Sequence, residues 1–362
     1  MKCVYQCLGA ALCLLASDLA QPLDAQGPAP FMMLTHVGNQ EIEGQPLTWT
    51  KDEMLIMGRD GGLYTFPPKY AENSKKTGTM FRGYSIMEMR ARLREEFDSS
   101  FDVSHSQHFV VAHPKGVWSV WADRMESFYR SFTHYMAVRG FDLADPQVPL
   151  VAVVFRNKQE YYAHAAKGGT ELQPGTLGHY DLSSNRIFLF DAGMESDQDW
   201  TASIDTIIHE ATHQTASNVG VHRRFAEQPR WLVEGLAMMF EARGLWDPRA
   251  THTQRDRINY GRLDDFRYFL DSRPADMLPK LISSDTLFRT SAVSAYCEAW
   301  ALSFFLCETR PKEYCDYLQR VGARKAFSKY SARSRMADFA RYFGSDFTQL
   351  DAELKRFVAE LK

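Results

Sequence analysis

Residues 201–217 read TASIDTIIHEATHQTAS, and no other stretch of the 362 residues restricts the architecture as tightly. On a helix, His209 and His213 lie one turn apart on the same face, where they can chelate one ion together. Glu210 sits about 100° round from His209, so it can address a metal-bound water as general base instead of binding metal itself. Ile204, Ile207, Ile208 and Ala211 fill the other positions, which puts the histidines on a largely core-directed element. Buried imidazoles need partners, and either a metal ion or ordinary hydrogen bonds would satisfy these two.

A second element adds to the first. After a loop containing Gly220 and Pro229, the segment WLVEGLAMMFEARG reads as a helix presenting Glu234, with twenty residues between it and His213. A catalytic zinc site uses three protein ligands and keeps its fourth position for water, so His209, His213 and Glu234 make a complete set for one Zn²⁺ per chain. Glu241 lies seven residues further along the same face. It is placed either to orient a ligating histidine or to stand as a surface carboxylate.

HEATHQ followed by WLVEGLAMMFE resembles the gluzincin metallopeptidases, in particular the zinc aminopeptidases with their H-E-x-x-H and W-x-x-E-G-x-A pattern. The chain resembles still more closely a family of exported bacterial proteins of uncharacterised function that carry HEATHQ, an EGLA-type helix and a downstream YxxAW helix, here Tyr296 to Trp300. The resemblance spans roughly residues 105 to 325. It implies a zincin-like α+β fold, zinc bound by His209, His213 and Glu234, and Glu210 as general base in cleaving peptide bonds through a Glu-activated zinc-bound water. It also implies that Tyr296 stabilises the oxyanion; packing in the core is that residue's alternative role, and Tyr260 and His222 are its substitutes. The aminopeptidases recognise a free amino end with G-x-M-E-N, whereas this chain has Gly193-Met194-Glu195-Ser196, without the asparagine and too close to His209. Exopeptidase specificity is therefore not implied.

The amino terminus bears on compartment. Lys2 precedes an apolar run from Cys3 to Ala16 that only Gln6 breaks, the length of a signal-peptide core and too short to span a bilayer. Residues 1–25 are expected to be a signal peptide, cleaved after Ala20 or Ala25. Neither site has a small residue three positions earlier, so an uncleaved signal anchor is the alternative. The chain is thus expected to be exported: secreted, periplasmic or at the cell surface. Export leaves Cys297, Cys307 and Cys315, of which Cys307 and Cys315, equidistant from Pro311, are the feasible disulfide pair; buried free thiols are the other reading.

With 45% hydrophobic and 24% charged residues, the composition excludes a disordered or polytopic membrane chain. A net charge of -3 offers no footprint for a polyanion, so the expected partner is a peptide or protein substrate and not a nucleic acid. The basic stretches Arg90 to Arg94 and Arg333 to Arg335 read as solvated helix faces.

Along the chain, a small β-rich unit is expected over 28–75, with Asp60-Gly61 at a hairpin tip and PPKYAENSKKTG as linker. A zincin-like catalytic core follows over 76–262, alternating strands and helices, with a hairpin turn at Ser183-Ser184-Asn185. A helical part over 263–362 completes the chain. The strand RIFLF is expected to offer its edge to an extended peptide. An exported binding or scaffold protein with a structural or vestigial metal site is the competing function.

Overall fold

The computed structural model describes residues 28–116, 120–190, 204–247, 249–250 and 253–362. Residues 1–25, expected to be a signal peptide, and Gly193 to Ser196 lie outside the described residues. The fold is α+β, with a small N-terminal sheet and a helical C-terminal part.

The first sheet contains β1 (Met32–Val37), β2 (Gln40–Trp49), β3 (Met54–Gly58), β4 (Leu63–Phe66) and β5 (Glu72–Gly78), in the order β4-β3-β2-β1-β5. Every pairing is antiparallel. Met33, Ile42, Ile56 and Phe66 form its own apolar cluster. The β3–β4 turn carries Asp60 and Gly61, the latter with φ +80°, a conformation glycine adopts without strain. Residues 67–78 are not a linker: after one 3-10 turn they form β5 and pair with β1. Its polar sequence, ENSKKTG, is that of an exposed edge strand, where lysines discourage pairing with another chain.

The second sheet contains β6 (Phe101–His105), β7 (Phe109–Pro114), β8 (Leu150–Phe155), β9 (Gly178–Asp181) and β10 (Arg186–Phe190), in the order β6-β7-β8-β10-β9. β7, β8 and β10 run parallel, while β6 and β9 are antiparallel borders. β7 and β8 are buried along their whole length, which explains their unbroken apolar runs. Val110, Ala112, Val151 and Val153 face α1 (Ile86–Glu96) and α3 (Lys158–Lys167). Phe109, Val111, Ala152 and Val154 face α2 (Trp121–Ala137) and α4 (Ile204–Asn218), the helix of the two histidines.

The turn at Ser183-Ser184-Asn185 joins β9 to β10, with Asn185 at φ 61°. RIFLF is β10, and it is not an edge: β8 takes one side and β9 the other. The edge beside α4 belongs to β9.

The remaining helices are α5 (Arg230–Phe240), α6 (Arg243–Trp246), α7 (Tyr260–Phe269), α8 (Met277–Ser283), α9 (Leu287–Thr290), α10 (Ala292–Thr309), α11 (Pro311–Gly322), α12 (Ala332–Phe343) and α13 (Phe347–Glu360). One apolar cluster runs from the face of the second sheet that packs against α2 and α4, through α5, to these helices. The sequence reading of Arg333 to Arg335 as a solvated face fails at Arg335, which is buried and makes a two-pronged bond to Asp285 at 2.7 and 3.0 Å. Cys297, Cys307 and Cys315 are buried free thiols, with Cys307 Sγ 3.1 Å from the Tyr135 hydroxyl.

Candidate metal centre

Two helices build the site: α4 is anchored by polar bonds and α5 by close packing against α10 and α11. On α4, Gln214 Nε2 donates to the carbonyls of Val151 and Asn185 at 2.9 and 2.7 Å, tying the helix to β8 and to the β9–β10 turn. Asn218 repeats the tie through Asn185 Oδ1. On α5, Gly235 lies so close to α10 that a Cβ there would stand 2.1 Å from Ser303 Oγ and 2.5 Å from the Ala299 carbonyl oxygen. Trp231 stacks on Tyr317 with ring centroids 5.9 Å apart.

These anchors bring His209, His213 and Glu234 together. His209 Nε2 lies 3.0 Å from His213 Nε2 and 3.3 Å from Glu234 Oε2, and His213 Nε2 lies 3.5 Å from the same oxygen. Metal bonds of 2.0–2.2 Å in tetrahedral geometry require ligand atoms about 3.4 Å apart. The donor set and its spacing therefore fit one small divalent cation, and these three form the group of potential metal ligands found among the described residues. All three side chains are buried.

The surroundings prepare them for that task. Glu241, at the C-terminal end of α5, accepts from His209 Nδ1 at 2.7 Å, fixing the ring so that Nε2 faces the other ligands. Asn259 Nδ2 holds the second oxygen of Glu241 at 2.5 Å. Glu241 is thus the orienting carboxylate of the two roles its position allowed. His213 Nδ1 and Glu234 Oε2 are buried polar atoms with no hydrogen-bond partner, which accords with Oε2 being directed at a cation. Burial alone would lower the His209 pKa, but the neighbouring carboxylates of Glu234 and Glu241 override it and raise it to about 10. Glu234 also resists its burial: His209, His213 and Arg230 hold its carboxyl well below the usual range. The cluster is arranged to keep positive charge between its carboxylates.

Glu210 lies on the same helix, and Oε2 accepts the Tyr180 N–H of β9 at 2.6 Å. Burial pushes its carboxyl up, against the opposing effect of the two histidines. Tyr296 is in the second turn of α10, buried, with its hydroxyl accepting from Arg230 Nη2 at 2.9 Å and its ring edge-on to Phe288. It is therefore tied to the metal helix and does more than fill the core. Tyr260 is not a substitute, because its hydroxyl donates to the carbonyl of Lys362 on the surface. His222 is buried with neither ring nitrogen bonded, and burial takes its pKa down to about 3.

Sequence reading missed Arg230. Its Nε donates to Glu234 Oε1 at 3.2 Å, and the signal available was the four-residue spacing between an arginine and a ligand glutamate on one helix.

A family model described as a protein of unknown function (DUF1570) matches residues 203–328, which include both metal helices and Tyr296. No curated protein matches. Among solved structures, the chain is similar to the M1 zinc metallopeptidase from Deinococcus radiodurans at 13% identity and TM-score 0.40, covering 93% of this chain and 62% of that one. A point mutant of that enzyme matches at 12% identity and TM-score 0.41, covering 94% of this chain and 61% of the other. The same mutant bound to a Tyr-Ser-Ala substrate matches at 14% identity and TM-score 0.38, with coverage of 94% and 61%. The chain spans less than two thirds of the length of these neighbours.

Proposed function

We propose that this chain is an exported zinc-dependent hydrolase, a metallopeptidase of the gluzincin type acting on a peptide or protein. The observation that carries the reading is the triangle of buried His209, His213 and Glu234 atoms at 3.0, 3.3 and 3.5 Å, with Glu241 fixing the His209 ring from behind. Zinc held there would act as a Lewis acid on a carbonyl and bring the pKa of water to about 7. Glu210, next to the ligands and raised by burial, takes the proton of the attacking water and passes it to the leaving amine. Tyr296 donates its hydroxyl to the developing oxyanion. The outer edge of β9 pairs with an extended substrate, in place of β10, whose two edges are occupied.

Elemental mass spectrometry of the purified protein tests this. The expected result is about one zinc per chain, lost in Glu234→Ala, together with peptide-library cleavage that Glu210→Gln abolishes. A wild type that stays metal-free after incubation with zinc overturns it.

Burial favours a second reading. His209, Glu210, His213 and Glu234 are 6%, 2%, 2% and 0% exposed, as in a closed structural site of an exported binding or scaffold protein. One zinc per chain that resists chelators, with no cleavage in the library, would select that reading. Export itself rests on the amino-terminal pattern; among the described residues no helix is long and apolar enough to cross a membrane.

A further inference from the structure

Arg230 opens α5 and reaches two site residues at once. Its Nε donates to Glu234 Oε1 at 3.2 Å, while Nη2 donates to the Tyr296 hydroxyl at 2.9 Å. The arginine is itself held in place. Its backbone N–H donates to Asp285 Oδ1 at 2.9 Å, the same carboxylate that Arg335 grips, and its guanidinium lies 5.0 Å from the centre of the Phe288 ring.

The two oxygens of Glu234 consequently have different surroundings. Oε2 faces the two histidine nitrogens and has no hydrogen bond, whereas Oε1 is bound to the guanidinium. A ligand carboxylate with both oxygens free can close on a cation through both. Such closure would fill the position that water needs in a catalytic site. On the Tyr296 side, the phenol oxygen accepts from Arg230 Nη2, so the same guanidinium that binds Glu234 Oε1 also fixes where the hydroxyl stands.

We propose that Arg230 is the positioning residue of this centre: it restricts Glu234 to one ligating oxygen and sets the Tyr296 hydroxyl one guanidinium away from that ligand. The proposal rests on the metal-site reading above. The bland alternative is an intrahelical Arg–Glu pair that contributes only to folding. The fork separates the two, because lysine offers one ammonium on a flexible stem and cannot reproduce both bonds in their fixed geometry.

The test uses full-length protein loaded with Co²⁺, whose visible absorption reports coordination number. Wild type, Arg230→Met and Arg230→Lys are compared, with zinc affinity by chelator competition and the melting temperature of each metal-free protein measured in parallel. The wild type is expected to show the intense bands of four-coordinate cobalt. Both variants should bind one cobalt with absorptivity lower by about twofold or more, as Glu234 adds its second oxygen. Wild-type spectra in both variants, whatever their melting temperatures, overturn the role of Arg230 and leave the metal site standing. A five-coordinate wild type overturns it as well. If Arg230→Met does not fold, Arg230→Lys decides, and a wild-type spectrum there refutes the fork. A wild type that binds neither cobalt nor zinc defeats the metal reading first, and the positioning role with it.

Discussion

The His209 imidazole is held from both sides, by Glu241 on Nδ1 and by His213 Nε2 at 3.0 Å on Nε2. Removing the orienting carboxylate leaves the ligands in place but frees the ring to rotate. Glu241→Ala should therefore weaken zinc binding about 10- to 100-fold, measured by competition with a chelator, with the far-ultraviolet circular dichroism unchanged. Glu210→Gln should behave in the opposite way, keeping about one zinc per chain while peptide cleavage falls by about 10²-fold or more. His179 on β9 is buried, its Nδ1 2.8 Å from the Tyr161 hydroxyl, and burial lowers its pKa from 6.5 to about 4. Because the unfolded chain binds that proton more readily, the stabilising contribution is complete above about pH 6.5 and is lost as pH falls towards 4. Denaturant melts at pH 7 and 4.5 should show the wild type losing roughly 2 kcal/mol more than His179→Gln. Equal losses would show that His179 is not the titrating group.

Between elements, the contact of α5 with α10 is the tightest constraint on the site. Gly235 follows Glu234 directly, and any side chain there meets the Ala299 carbonyl, part of a helix backbone that cannot turn aside. Gly235→Ala should cost about 1–3 kcal/mol of stability and displace Glu234 from the histidines, so zinc affinity should fall along with the melting temperature. A variant with unchanged zinc affinity would mean that α5 carries its ligand independently of α10. The helices of this pair were legible in sequence for different reasons: α5 has a strong apolar periodicity, whereas α10 is a long apolar run buried on nearly every side. β5 was not: an exposed edge strand buries nothing, so ENSKKTG has the composition of a linker. The status of β10 was equally hidden, since RIFLF reads the same whether one edge or both are paired, and only the return of β9 decides it.

At the scale of the molecule, the N-terminal sheet is joined to the second one largely through backbone carbonyls. Arg224 Nη1 donates to the Gly61 carbonyl at 2.7 Å, and Nε and Nη2 donate to Leu182 at 3.0 and 2.6 Å. The Leu63 N–H meets the Ser183 carbonyl beside them. Arg224→Ala leaves these carbonyls without their donor, at a cost of about 1–3 kcal/mol. Limited proteolysis should then cut between the two sheets faster than in the wild type while zinc content stays the same; loss of zinc would show that the first sheet supports the metal helices. What the amino-acid order determined by itself was local: two histidines one turn apart and a glutamate on a second amphipathic helix, set by a spacing of 3.6 residues, and the buried strands, set by short unbroken apolar runs. Only the tertiary structure decided that Glu241 faces His209 and not solvent, that Arg335 is buried, that the hydroxyl of the buried Tyr296 meets Arg230, and which strand forms the sheet edge. Those outcomes depend on contacts between residues up to 66 positions apart, as for Arg230 and Tyr296, and no local periodicity carries them.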